Sequence, residues 1–114
     1  MTDISWLTAR PIAHRGFHDL NDKRWENTLS AFSAAIERGY AIECDVHLSA
    51  DGVPIVIHDD DLRRLTGTEG FVWQRTAAEM AQLRRAQEQN NRLVAALVGV
   101  LALAIGVALW ALTR

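Results

Sequence analysis

Residues 93–112, opening at Leu93 and closing at Leu112, form twenty consecutive positions without a charged or amide side chain. As a helix such a run is about 30 Å long, the thickness of a bilayer's hydrocarbon core. A wholly buried helix of a large protein has the same pattern, but 114 residues leave too little other mass to surround one. The expectation is one transmembrane helix over residues 93–112. Arg84, Arg85 and Arg92 precede it and Arg114 alone follows, so the positive-charge bias puts the N-terminal part in the cytoplasm. Trp110 sits where an interfacial aromatic would. Ala95/Gly99 and Ala102/Gly106 are small-xxx-small pairs of the kind that let helices self-associate, although an alanine-rich segment produces that spacing by chance.

The soluble remainder is about 90 residues, near the size at which apolar burial only just offsets chain entropy. Over residues 1–92, 11 Lys and Arg stand against 14 Asp and Glu, a net charge of −3 that offers nucleic acid no basic stripe. Cys44 is the lone cysteine, which excludes an intrachain disulfide and suits a reducing compartment. The first ten residues include Asp3 and hold no sustained apolar run, unlike a signal peptide. Eleven arginines to one lysine, with abundant alanine, suggest GC-rich bacterial coding and so a bacterial inner membrane.

Pro11-Ile12-Ala13-His14 is short, apolar and ends in a histidine, as a buried strand with a polar C-terminal end would. A loop bearing Gly, Asn and several Asp follows as far as Glu26. Asn27 is placed to cap a helix whose Leu29, Phe32 and Ile36 share one face and which Gly39 closes. Residues 40–48 make the second strand. Only Ser49, Ala50, Asp51 and Gly52 separate Leu48 from Val53, too few for a crossover to a parallel strand. Asp-Gly signals a hairpin, so residues 53–57 should return antiparallel. A two-residue turn at Asp51-Gly52 sets Ala50 facing Val53 and Asp45 opposite His58, with Cβ atoms about 5 Å apart. A three-residue turn shifts that register by one. Residues 59–74 are expected as a long polar loop. Thr76 and Glu79 have capping-box spacing at the head of a helix in which Met80 and Leu83 begin an apolar stripe and Asn90-Asn91 is a loosening point.

Within this frame the first sixty residues carry His14-Arg15-Gly16, Glu26-Asn27-Thr28, Glu43-Cys44-Asp45 and His58-Asp59. Cleaving a phosphodiester requires charge neutralised on phosphoryl oxygens and a proton delivered to the leaving oxygen. A metal and an arginine do the first, and a histidine the second. Glu43 and Asp45, two apart on a strand, share a face and offer hard oxygen ligands. An E-x-D pair alone is weak, because solvated strand faces often carry one. Ile42, Cys44 and Val46 fill the other face, however, which points the carboxylates at something polar. His14 and His58 each end a short apolar run, where barrel enzymes keep catalytic groups. His18 and His47 have no such context and read as structural or solvent-facing. Asp60, Asp61, Arg63 and Arg64 read most simply as solvated charges, and Cys44 as packing.

Taken together, these motifs resemble the N-terminal part of the glycerophosphodiester phosphodiesterase family. In that family H-R-G, E-N-T, E-x-D, D-G and H-D follow in this order, and Leu62, Arg64, Thr66 and Gly70 resemble the L-x-R-x-T-x-x-x-G that comes next. Trp25 departs from the proline usual before E-N-T. The resemblance covers about residues 11–84. It implies an α/β fold, the first part of a (β/α)8 barrel, which as a whole takes about 250 residues. It implies that His14 and His58 are the acid/base pair, that Glu43 and Asp45 bind Ca²⁺ or Mg²⁺, and that Arg15 holds the phosphate. The implied substrates are glycerophosphodiesters, cleaved to glycerol 3-phosphate and an alcohol. The family's third acidic metal ligand and a nearby lysine come from a later strand, and nothing after Leu83 matches them.

The expected organisation is a partial phosphodiesterase domain over residues 1–85, a polar juxtamembrane segment over 86–92 and the membrane helix. The leading reading is a membrane-tethered phosphodiesterase by descent, with little or no turnover from these 114 residues alone. Two others fit the same residues: a single-pass membrane protein with a non-catalytic remnant, and a frameshifted or fused reading frame.

Overall fold

The computed structural model describes residues 2–113, so Arg114 of the charge-bias argument lies outside the described residues. Close contacts divide the chain into two compact units, Met1–Ala77 and Ala78–Arg114.

In the first unit, strand β1 (Ile12–His14) pairs in parallel with β2 (Ala41–Glu43), and helix α1 (Leu29–Glu37) connects them. The register sets His14 beside Glu43. Thr28, one residue later than expected, is the cap of α1, its hydroxyl accepting the Ala31 N–H at 3.3 Å. Asn27 instead takes a left-handed conformation, φ 54°, which releases its side chain for another task. Gly39, φ 68°, ends the helix as expected. Its own N–H and that of Tyr40 return to the carbonyls of Ile36 and Ala35, a Schellman motif.

The face by which α1 packs is not the anticipated stripe. Ala31, Ala34 and Ala35 are buried, whereas Leu29 and Ile36 are 75% and 67% exposed. Small side chains let the helix lie close to its neighbours, and close approach outweighs the bulk of the larger residues. Gly16 shows how close: a Cβ there would stand 2.8 Å from the Ala31 Cβ.

The second strand is not continuous over residues 40–48. It breaks at Cys44-Asp45 into β2 and β3 (Val46–Leu48), and β3 pairs antiparallel with β4 (Pro54–Val56) in a separate two-stranded sheet. The break lets β2 follow β1 while β3 follows its hairpin partner. The hairpin itself forms as expected, but with the longer turn: Ser49 N–H reaches the Val53 carbonyl at 3.0 Å, leaving Ala50, Asp51 and Gly52 outside the ladder. The register therefore moves by one. Val46 pairs with Val56, and the Asp45 carbonyl accepts from Ile57, so Ile57 and not His58 stands across from Asp45. Cys44, expected in packing, is exposed, as are Val46, Leu48 and Val56.

Residues 59–74 are more ordered than a polar loop. A helical turn α2 (Arg63–Thr66) and a 3-10 turn (Val72–Gln74) are tied by backbone bonds from Leu62 to Gly70 and from Val72 to Asp60. Leu62 and Val72 are fully buried and anchor the segment. Helix α3 (Ala77–Leu112) begins directly after Thr76 and is unbroken through Asn90 and Asn91. It is long and apolar enough to cross a membrane, and the side chains of its apolar window are all exposed.

Candidate active site

The C-terminal ends of β1 and β2 put four of the sequence-derived residues together. His14 Nε2 lies 4.0 Å from Glu43 Oε2, and the same oxygen accepts the backbone N–H of Arg15 at 3.0 Å. Arg15 is held in the left-handed region, φ 59°, where a non-glycine residue is strained and strain tends to mark function. That conformation turns its guanidinium inward: Nη1 donates to Glu26 Oε1 at 3.2 Å, and Nε stands 3.6 Å from Asp45 Oδ2. The second distance is too long for a hydrogen bond, and the buried Arg15 Nε has no hydrogen-bond partner among the described residues. Asp45 is oriented by Asn27, whose amide donates to Oδ2 at 3.1 Å while its carbonyl oxygen accepts the Asp45 N–H at 3.3 Å. The Asn27 N–H in turn bonds the Arg15 carbonyl at 2.9 Å. Two left-handed residues thus brace each other across the site.

His58 reaches this group indirectly. Its Nδ1 lies 2.6 Å from Asp59 Oδ1, and Asp59 receives Arg64 through Nε at 2.6 Å and Nη2 at 2.9 Å. The same guanidinium donates to Glu26 at 2.7 and 3.2 Å. Glu26 therefore joins Arg15 to Arg64. His47 Nε2 lies 2.9 Å from the His58 carbonyl, which can only accept, so His47 donates there and pins the His58 backbone. Hydrogen bonds from Arg64 and then from His58 hold Asp59 well below the usual carboxylate range. Arg64 likewise lowers Glu26 against the opposing effect of partial burial.

Sequence reasoning named His14, Arg15, Glu43, Asp45 and His58 and passed over four residues that organise them: Glu26, Asn27, Asp59 and Arg64. All four stand inside the motifs quoted above, which was the available signal. The Arg64–Glu26 pairing spans 38 residues and has no local signature. As for a cation, Glu43 and Asp45 provide suitable hard oxygens, each with one oxygen already engaged. Among the described residues no three His, Cys, Asp or Glu side chains converge as a metal-holding group. The donor chemistry fits Ca²⁺ or Mg²⁺, but the number of ligands does not.

Residues 14–108 match the model of the glycerophosphoryl diester phosphodiesterase family. A glycerophosphodiester phosphodiesterase of Caldanaerobacter subterraneus is 47% identical over 73 residues, 63% of this chain and 29% of that protein. Glycerophosphodiester phosphodiesterase 1 of Bos taurus is 38% identical over 84 residues, 72% of this chain and 24% of its own length. The crystal structure of a glycerophosphodiester phosphodiesterase from Thermotoga maritima superposes with a TM-score of 0.59 at 41% identity, covering 67% of this chain and 33% of that one. One from Agrobacterium tumefaciens gives 0.54 at 41% identity, over 61% and 29%. Both are barrel enzymes. The chain spans about a quarter to a third of the length of these relatives.

Proposed function

The chain belongs to the glycerophosphoryl diester phosphodiesterase family, and we propose that its soluble unit carries the acid/base and phosphate-binding part of a metal-assisted phosphodiester hydrolysis. The substrate class is a glycerophosphodiester, and the products are glycerol 3-phosphate and an alcohol. His14 and His58 are the proton-transferring pair, one accepting a proton from the attacking water and the other donating one to the leaving alcohol oxygen. Arg15 holds the phosphate: a guanidinium has five donors, and only Nη1 makes a hydrogen bond to a carboxylate here. Glu43 and Asp45 would be this unit's share of a Ca²⁺ or Mg²⁺ site, whose ion would neutralise phosphoryl charge once further ligands completed it. The observation that carries this reading is the ion-pair chain Arg15–Glu26–Arg64–Asp59–His58, which ties the β1–α1 connection to helix α2 and the segment after β4, with Arg15 at its end beside Asp45.

We further propose a partial enzyme domain over residues 1–85, a juxtamembrane segment over 86–92 and a membrane span over 93–112. The arginines before the span favour a cytoplasmic soluble part at a bacterial inner membrane. A second reading, a non-catalytic remnant on a membrane helix, is favoured by one observation, the lack of a converging third metal ligand among the described residues. The assay is glycerol 3-phosphate release from glycerophosphocholine with Ca²⁺ or Mg²⁺. From the 114-residue chain we expect at most a trace, orders of magnitude below a relative of full barrel length, and lost in His14→Ala, in His58→Ala and with a chelator. A rate that survives those controls overturns the assignment, and no rate at high protein concentration favours the second reading.

A further inference from the structure

We propose that Arg64 is a positioning residue whose guanidinium fixes the ring orientation and tautomer of His58. The inference rests on the reading above, in which His58 transfers a proton. An arginine beside an acidic run ordinarily makes one loose contact with solvent-exposed partners. Arg64 instead makes four N–O contacts within 3.2 Å, two to Asp59 and two to Glu26. Planar, two-sided pairing of this kind is the geometry in which an arginine specifies position, and a lysine ammonium does not reproduce it.

The consequence for His58 follows from donor arithmetic. Asp59 accepts two hydrogen bonds from Arg64, one on each oxygen, and so is kept as a carboxylate with no proton to give. Asp59 Oδ1 lies 2.6 Å from His58 Nδ1. With an acceptor on one side, the hydrogen must sit on Nδ1, and Nε2 is the nitrogen left to exchange a proton with substrate. The His47 bond to the His58 carbonyl holds the backbone while Asp59 holds the ring. The other half of the Arg64 fork lands on Glu26, which also takes Arg15. Arg64 thereby sets the ring of His58 relative to the phosphate-binding arginine, through a Glu26 that stands 38 residues before it in sequence.

The test uses the ¹⁵N-labelled full chain in detergent micelles, with His58 ring nitrogens assigned by a His58→Gln variant and read at a pH where the ring is neutral. In the unaltered chain the Nδ1–H tautomer should dominate. Arg64→Ala should make it the minor form, the ordinary solution preference being Nε2–H, while backbone amide shifts of the β3–β4 hairpin stay in place. Arg64→Lys should restore it only in part. If Arg64→Ala does not fold, Arg64→Lys decides: a mixed population supports the proposal, and an unchanged one overturns it. An unchanged tautomer in folded Arg64→Ala, or an Nε2–H form in the unaltered chain, also overturns it. None of these readouts needs turnover, so failure of the catalytic reading and failure of this one are separately visible.

Discussion

Along α3, residues 93–112 turn Leu, Val, Ile and Ala outward on every side, and each interior backbone N–H and C=O is satisfied within the helix. In the first unit Val46, Leu48 and Val56 are also exposed, but they lie on a two-stranded sheet with no third strand on either outer edge among the described residues. Both surfaces are apolar, yet only the first meets the condition for lipid. A hydrocarbon environment charges several kcal/mol for each unsatisfied peptide group. The difference teaches that exposed apolar area alone does not name a solvent; the state of the backbone beneath it does. The polar side of the first unit is the reverse case. There hydrogen bonds from Arg15, Arg64, Asn27 and His58 engage Glu26, Asp45 and Asp59 although the neighbouring apolar faces are open.

The largest expected effect is an all-or-none change in partitioning. The full chain should sediment with membranes and resist carbonate extraction, and a chain shortened to residues 1–89 should not. Full-length protein recovered in the soluble fraction would remove the distinction between the two surfaces.

Next comes Gly16→Ala. The position needs φ 81°, and the added Cβ would meet Ala31 and Phe32 within 2.9 Å. Left-handed strain and overpacking together should cost roughly 2–4 kcal/mol. A thermal melt followed by near-ultraviolet circular dichroism checks this, because the edge-to-face pair Phe17–Tyr40 lies in the first unit next to Gly16. No loss would mean that α1 and the loop are not in close contact in solution.

Parts of this architecture were legible in the sequence because their cause is local. The glycine that ends α1, the hairpin and the twenty-residue apolar run each follow from a few adjacent residues. What was not legible depends on tertiary competition. The break at Cys44-Asp45 arises because one strand is claimed by two partners, and strand periodicity cannot report that. The alanine face of α1 was overlooked because the larger Leu29 and Ile36 dominate any hydrophobicity pattern, although close packing selects the smaller side chains. The site's named residues stood out by type and spacing. Its organisers did not, since Arg64 and Glu26 look like surface charges until the fold brings them together.

A third, smaller effect tests the polar side. Glu26 and Asp59 are held below their ordinary carboxylate values, chiefly by Arg64. The stability they contribute is therefore complete above pH about 4, the ordinary carboxylate value, and is lost as pH falls from there through the lowered folded values. All three side chains keep some solvent contact, so the network should be worth only about 1–2 kcal/mol. Arg64→Ala should lower stability by that amount at pH 7 and flatten the decline between pH 5 and pH 3. A decline as steep as in the unaltered chain would show that other carboxylates govern the acid sensitivity.

The smallest effect is the sharpest test of the apolar strand faces. Leu48 is 59% exposed and shares its face with Val46 and Val56. If that face meets water in the isolated chain, Leu48→Thr removes no buried area and introduces a β-branched strand former. Its cost should then stay within about 0.5 kcal/mol. A loss of about 2 kcal/mol or more would show the opposite, that this face is covered in solution, since burial of a leucine side chain is worth about that much. The comparison would then shift from lipid against water to lipid against protein, with both apolar surfaces of the chain partnered and only the polar rim in solvent.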